Sequence, residues 1–274
     1  MPPTALGLAL AAAFVHALWN LLLARARDID AATAVALVVA VSAFSLPAAA
    51  YWHVDGRVWP YLAGSAAFEL VYYALLAAAY RRAEFTVVYP IARGSAPVLV
   101  LVVAVAALRA STSWQQAAGV TLVAAGIVFV RGFARGTKRG GVAFGLLIGC
   151  CIAGYTLIDK HGIRYANPVS YLELSMVPPT FAYAAATARR KGFRALRTEL
   201  GFASVVAGLA TFGAYALVLA ALKLASAASV AAVRETSIII ATVLAGAFLK
   251  ERIGWQRLAG AVAVVAGIGL LSLA

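Results

Sequence analysis

The chain has 274 residues, 64% of them apolar and 12% charged, with a mean hydropathy of +0.92. Soluble domains carry about 45–50% apolar and about 25% charged residues, so a water-soluble enzyme or binding module is excluded. The net charge of +13 does not mark a nucleic-acid binder: Lys and Arg fall in short clusters between apolar runs, with no basic stripe interleaved with aromatics.

A helix crossing about 30 Å of hydrocarbon needs about 20 mostly apolar residues, and lipid forces every backbone polar group to bond internally. Ten such runs follow one another, at 4–24, 31–51, 60–80, 86–107, 115–131, 142–160, 168–188, 201–221, 227–248 and 255–273. The first lacks a basic leader and a small-residue cleavage site and reads as a retained helix. It sets His16, Trp19 and Asn20 at i, i+3 and i+4, on one face. Tyr51, Trp52, Trp59 and Tyr61 flank the ends of the second and third runs, where an aromatic belt is expected. The third run places Glu69, Tyr72 and Tyr73 on one face, and the fourth does the same with Tyr89, Arg93 and Pro97. Pro90 and Pro97 in the fourth run, with Pro178 and Pro179 in the seventh, lack amide donors and predict kinks.

The fifth run is short and carries Gly119 and Gly126. The sixth combines a Gly145/Gly149 pair at GxxxG spacing, suited to close helix approach, with Tyr155 and Asp159. Cys150 and Cys151 are adjacent within it, a spacing that builds neither a disulfide framework nor a metal site. The ninth run is expected to hold Arg234 and Glu235 near its middle. The tenth carries Gly260 and Gly267.

The chain repeats itself. Displaced by 141 residues, Arg93 falls on Arg234, Trp114 on Trp255, Gln115 on Gln256, Gly119 on Gly260 and Gly126 on Gly267. The starts of the halves rhyme more weakly, Ala17-Leu-Trp-Asn-Leu against Ala153-Gly-Tyr-Thr-Leu. The expected fold is an all-α membrane protein of ten transmembrane helices in two five-helix units, residues 1–136 and 137–274. An odd number of spans per unit inverts one copy relative to the other, a plan that places a solute site at the repeat interface near the midplane. Most loop Lys and Arg follow odd-numbered spans, which puts those loops in the cytoplasm and both termini outside.

Ionisable residues at membrane depth cost about 2.5–3.5 kcal/mol each on insertion scales and mark function by default. Arg93 and Arg234 occupy equivalent positions and should approach across the pseudo-two-fold axis. Paired guanidiniums suit a carboxylate or phosphate, with Glu69 and Glu235 as balancing charges in the empty state. The candidate solute-binding set is therefore His16, Trp19, Asn20, Glu69, Tyr72, Tyr73, Tyr89, Arg93, Tyr155, Asp159, Arg234 and Glu235. A static ionic lattice holding the helices in register is the competing reading, and His16 and the aromatic residues also suit plain helix packing.

Phe248-Leu-Lys-Glu-Arg-Ile-Gly-Trp-Gln-Arg-Leu-Ala-Gly260, the glycine-spaced last run, His16-Ala-Leu-Trp-Asn20 and Tyr89-Pro-Ile-Ala-Arg-Gly94 resemble EamA-type members of the drug/metabolite transporter superfamily. The likeness spans the chain. The first half departs from it at Arg109-Ala110-Ser111, where the second has Lys250-Glu251-Arg252. The resemblance implies a multi-pass protein of the cell membrane, not an enzyme, that exports a small polar metabolite such as an amino acid. Together with the paired arginines it gives an alternating-access secondary transporter of an anionic or zwitterionic solute. No cofactor or metal is expected, protons are a candidate coupling ion, and the oligomeric state is open. A lipid-type flippase or a non-transporting membrane subunit is the alternative. No nucleotide-binding loop is present to support ATP drive, and three scattered histidines supply no catalytic metal motif.

Overall fold

A computed structural model describes residues 1–23, 26–82, 85–131, 139–237, 239–240 and 255–273. Among these, eleven α-helices and one 3₁₀ turn make up the regular structure, and the single β-bridge joins Val54 to Ala166. The helices are α1 (Pro3–Leu23), α2 (Ile29–Ala50), α3 (Trp59–Arg82), α4 (Phe85–Ala106), α5 (Trp114–Arg131), α6 (Arg139–Gly162), α7 (Pro168–Lys191), α8 (Phe193–Glu199), α9 (Phe202–Leu224), α10 (Ala227–Arg234) and α11 (Trp255–Leu273). Ile29–Ala50, Gly56–Ala79, Gly140–Gly162 and Phe202–Leu224 are long and apolar enough to cross a membrane, and Pro3–Trp19, Ile91–Ala106, Trp114–Phe129 and Ala259–Leu271 are shorter apolar segments. Exposed apolar side chains such as Phe14, Val102, Phe129, Phe181 and Val265 are what lipid rather than water would cover.

Local chemistry starts the helices. Asp28 caps α2 by accepting the Ala31 amide at 3.1 Å. Asn167 caps α7 through the Val169 amide at 3.0 Å, followed by Pro168 at the first helical position, where a missing N–H costs nothing. Ser226 caps α10 through the Ser229 amide.

The packing is symmetric across the two halves. α1 lies on α9 as α3 lies on α6, while α2 meets α7, α4 meets α10 and α5 meets α11. The last pair shows the relation most directly. A methyl placed on Gly119 would come within 2.8 Å of the Gly267 carbonyl, and one on Gly126 within 2.7 Å of the Gly260 carbonyl. Rising numbers on α5 meet falling numbers on α11, so these equivalent helices run antiparallel and cross through equivalent glycines. Gly145 of α6 seats α4 in the same way, with room for no Cβ beside Ile91 and the Val88 carbonyl, and Gly149 meets Ser95.

The two ends of the bundle are tied differently. At one, Lys191 pairs with Asp28 at 2.6 Å and Asp30 at 2.9 Å, and Glu199 accepts the Asp28 amide at 3.0 Å. At the other, the Asp55 amide donates to the Tyr165 carbonyl at 2.8 Å, the Asn167 amide to the His53 carbonyl at 2.9 Å, and the Arg57 guanidinium lies 4.8 Å from the Tyr165 ring centre.

Two expectations need correction. The ninth run is not one unbroken helix centred on Arg234 and Glu235. α10 ends at Arg234, and the Glu235 and Thr236 amides bond to the carbonyls three residues back, Ala232 and Val233. The Thr236 hydroxyl also donates to Val233, at 2.8 Å. The helix thus tightens into a 3₁₀-like turn at 235–236, a departure often found at functional hinges; residues 241–254 lie outside the described set. Second, the stretch between the seventh and eighth runs is not all loop, because it forms α8.

Candidate functional site

Close seating of α4 on α6 and against α10 brings Arg93 to the turn that ends α10. Arg93 Nη1 lies 3.1 Å from Glu235 Oε1, and Arg93 Nη2 lies 2.7 Å from His16 Nε2. A guanidinium only donates, so the His16 nitrogen facing it accepts. The His16 ring meets Trp19 edge-on, with centroids 4.8 Å apart. Glu235 is fully buried and Arg93 and Arg234 nearly so. Arg234 Nε stands 3.6 Å from Glu235 Oε1, beyond hydrogen-bond reach. The position in the first half equivalent to Glu235 is Gly94, so one carboxylate faces both arginines.

Glu235 therefore leaves Arg234 incompletely satisfied. Its Nε and Nη2 are buried and make no hydrogen bond among the described residues, and the same holds for Trp19 Nε1 and Ser237 Oγ. Buried donors without acceptors cost about 1–3 kcal/mol each, more when charged. These three residues belong to, or adjoin in sequence, the cluster around Glu235.

A second polar centre lies on α6. Asp159 is fully buried, accepts the Tyr171 hydroxyl at 2.9 Å and also accepts the Tyr215 hydroxyl. Tyr215 packs edge-on against Tyr155, and Tyr155 against Tyr72, with ring centres 6.0 and 6.3 Å apart. Tyr73 contacts Tyr72 and Tyr183. Glu69 of α3 is buried yet makes no hydrogen bond or ion pair with the described residues.

Among the expected site residues, the structure thus joins His16, Trp19, Arg93, Arg234 and Glu235 in one cluster. It joins Tyr72, Tyr73, Tyr155 and Asp159 in a tyrosine-lined one. Glu69 does not pair with either arginine. The side chains of Asn20 and Tyr89 lie outside the described residues. Sequence reasoning missed Tyr171, Tyr183, Tyr215 and Ser237; the first three enter from α7 and α9, whose own spacing carried no ionisable partner to flag them.

The sequence model of the EamA-like transporter family matches residues 3–132 and again 139–273. The chain belongs to the EamA-like transporter family. It is an EamA-type member of the drug/metabolite transporter superfamily, and its family is one of membrane transporters rather than enzymes. A solved crystal structure superposes with a TM-score of 0.75, at 14% identity, covering 100% of this chain and 99% of the other; at that identity the likeness is one of fold. No curated protein matches the sequence closely enough to serve as a relative. In this EamA protein the paired glycines of α5 and α11 lie one in each family match.

Proposed function

We propose that this EamA protein is a secondary transporter that exports a small carboxylate-bearing solute, anionic or zwitterionic, across the cell membrane by alternating access. The observation that carries the reading is the pair of buried Arg234 nitrogens with no hydrogen-bond acceptor among the described residues. A buried guanidinium whose ion pair leaves two N–H groups without hydrogen bonds is costly, and a solute carboxylate matches a guanidinium edge in two parallel bonds. Arg93 holds Glu235 and His16 in place, so Arg234 is the arm left to the solute. Glu69 makes no direct ion pair among the described residues and is assigned the ammonium of a zwitterion. In this reading the chain has ten spans, α10 being the first part of the ninth, with both termini outside. The 3₁₀-like turn beside Arg234 is where the two halves rock.

Flux of labelled anionic and zwitterionic metabolites into proteoliposomes tests this. Wild type should carry at least one of them, Arg234→Gln should carry none while remaining monodisperse, and Arg234→Lys should retain a fraction. Full flux in Arg234→Gln overturns the assignment. A pH gradient that drives flux in wild type but not in Glu69→Gln would give Glu69 the coupling proton as well.

A further inference from the structure

The segment from Arg189 to Phe202 carries five basic residues, but they do not share one fate. Lys191 is held by Asp28 and Asp30, and Arg190 lies 3.5 Å from Asp30. Glu199, the remaining acid of this edge, is turned to the Asp28 amide. Arg194, Arg197 and, across the cleft, Arg27 are exposed and have no carboxylate partner among the described residues. The local acids are used up, and a net positive rim remains.

The apolar side chains of the same edge are equally unsatisfied. Gly192 adopts φ +80, a left-handed conformation that only glycine takes without strain. It ends α7 and turns the chain into α8. At seven residues α8 is about 10 Å long and cannot span. None of its residues is buried. Phe193 is 80% exposed, Leu200 61% and Phe202 85%. Two open clefts share Thr198: one of about 610 Å³ beside Phe193, Arg194 and Arg197, the other of about 280 Å³ bounded by Leu22, Leu23, Arg27 and Phe202. The site lies where α1 and α7 end and α2 and α9 begin, at one end of the bundle.

We infer that this edge is a binding site for one anionic phospholipid. The phosphate sits on Arg194 and Arg197, with Arg27 on the far side of Thr198, and an acyl chain runs down the Leu22–Leu23–Phe202 cleft. Charge complementarity selects the headgroup: arginine binds phosphate through paired N–H donors, and basic residues at the surface attract anionic lipid. Phe193 and Phe202 insert at the headgroup–acyl boundary, as the apolar side of an interfacial segment does. A zwitterionic headgroup cancels most of this attraction, and a free phosphate lacks the tail. The site is remote from Arg234, so its failure leaves the transport reading intact.

The test uses the full chain in detergent with added lipid. Phosphatidylglycerol should raise the melting temperature by several degrees, phosphatidylcholine should not, and inorganic phosphate or glycerol phosphate should give no rise. Arg194→Gln/Arg197→Gln should lose at least half of the phosphatidylglycerol effect, whereas Arg194→Lys/Arg197→Lys should keep most of it. Native mass spectrometry of wild type from an equal mixture of the two lipids should show a phosphatidylglycerol adduct in preference, a readout that does not depend on any variant folding. Equal adducts, an undiminished response in the Gln variant, or a rise with tail-free phosphate each overturn the site.

Discussion

Arg93 Nη1 and Glu235 Oε1 stand 3.1 Å apart, both buried, from positions 142 residues apart in the chain. Because the partner of Glu235 comes from α4 and Glu235 itself from the end of α10, the pair ties the two halves together at the 3₁₀-like turn. Glu235→Gln leaves two buried guanidiniums without their carboxylate. Breaking a buried ion pair costs about 3–5 kcal/mol, so this variant should show a large fall in melting temperature. Arg93→Gln/Glu235→Gln should fall by less than the sum of the two single variants, which a double-mutant cycle of thermal stabilities measures directly. Strict additivity would show that the two side chains do not interact.

Gly126→Ala places a methyl 2.7 Å from the Gly260 carbonyl, and Gly119→Ala places one 2.8 Å from Gly267. Backbone must move in both, at a cost of about 1–3 kcal/mol. Gly213→Ala, mid-helix in α9 with nothing within 4 Å of the new methyl, should instead be neutral or stabilise by about 0.5–1 kcal/mol. Thermal shifts of the three purified variants in one detergent decide it, and destabilisation by Gly213→Ala as large as by Gly126→Ala would contradict the crossing geometry.

Asp28 has two roles that substitution can separate. It caps α2 through the Ala31 amide and pairs with Lys191. Asp28→Asn keeps a capping oxygen and loses the charge, so it should cost under about 1 kcal/mol, the usual worth of a part-exposed ion pair. Asp28→Ala loses both, adding about 0.5–2 kcal/mol for the cap. Raising the salt concentration should shrink the deficit of the Asn variant and leave most of the deficit of the Ala variant.

Asp55 gives a pH signature. Two guanidinium N–H groups of Arg57 bond its carboxylate, at 3.0 and 2.8 Å, with the Arg57 amide adding a third donor. They hold its pKa down, to about 2. A carboxyl that is depressed on folding contributes stability above its unfolded value of about 3.9, and loses it as pH falls through the folded value. Melting-temperature differences between wild type and Asp55→Asn should therefore be constant near neutrality and close between about pH 4 and pH 2. A difference that closes above pH 5 would rule out this pairing.

How far the sequence foretells this molecule depends on the length scale of each signal. The positions of α1 to α7, α9 and α11 follow from apolar runs about 20 residues long, since hydrocarbon thickness sets the period. The turn at Glu235 was invisible because two amides switching from i−4 to i−3 acceptors leave hydropathy unchanged. α8 was invisible for the opposite reason: seven residues with two arginines fall below any spanning window. Arg93 and Arg234 were legible as a pair only through the repeat offset. Their unequal bonding was not, because it depends on how closely the packing of α4 on α10 sets each guanidinium to Glu235, 3.1 Å for Arg93 and 3.6 Å for Arg234. Asp159 could be named from its own helix, whereas its donors Tyr171 and Tyr215 arrive from α7 and α9 and needed the packing to be known.

The seam between α5 and α11 has a property none of the ion pairs shares. Exchange the two helices and the same close approaches reappear, Gly119 with Gly267 becoming Gly260 with Gly126. The two sides of the joint thus present glycines at the same spacing. The two helices oppose one another within one chain, and the halves that carry them differ elsewhere: Glu235 in the second stands where the first has Gly94.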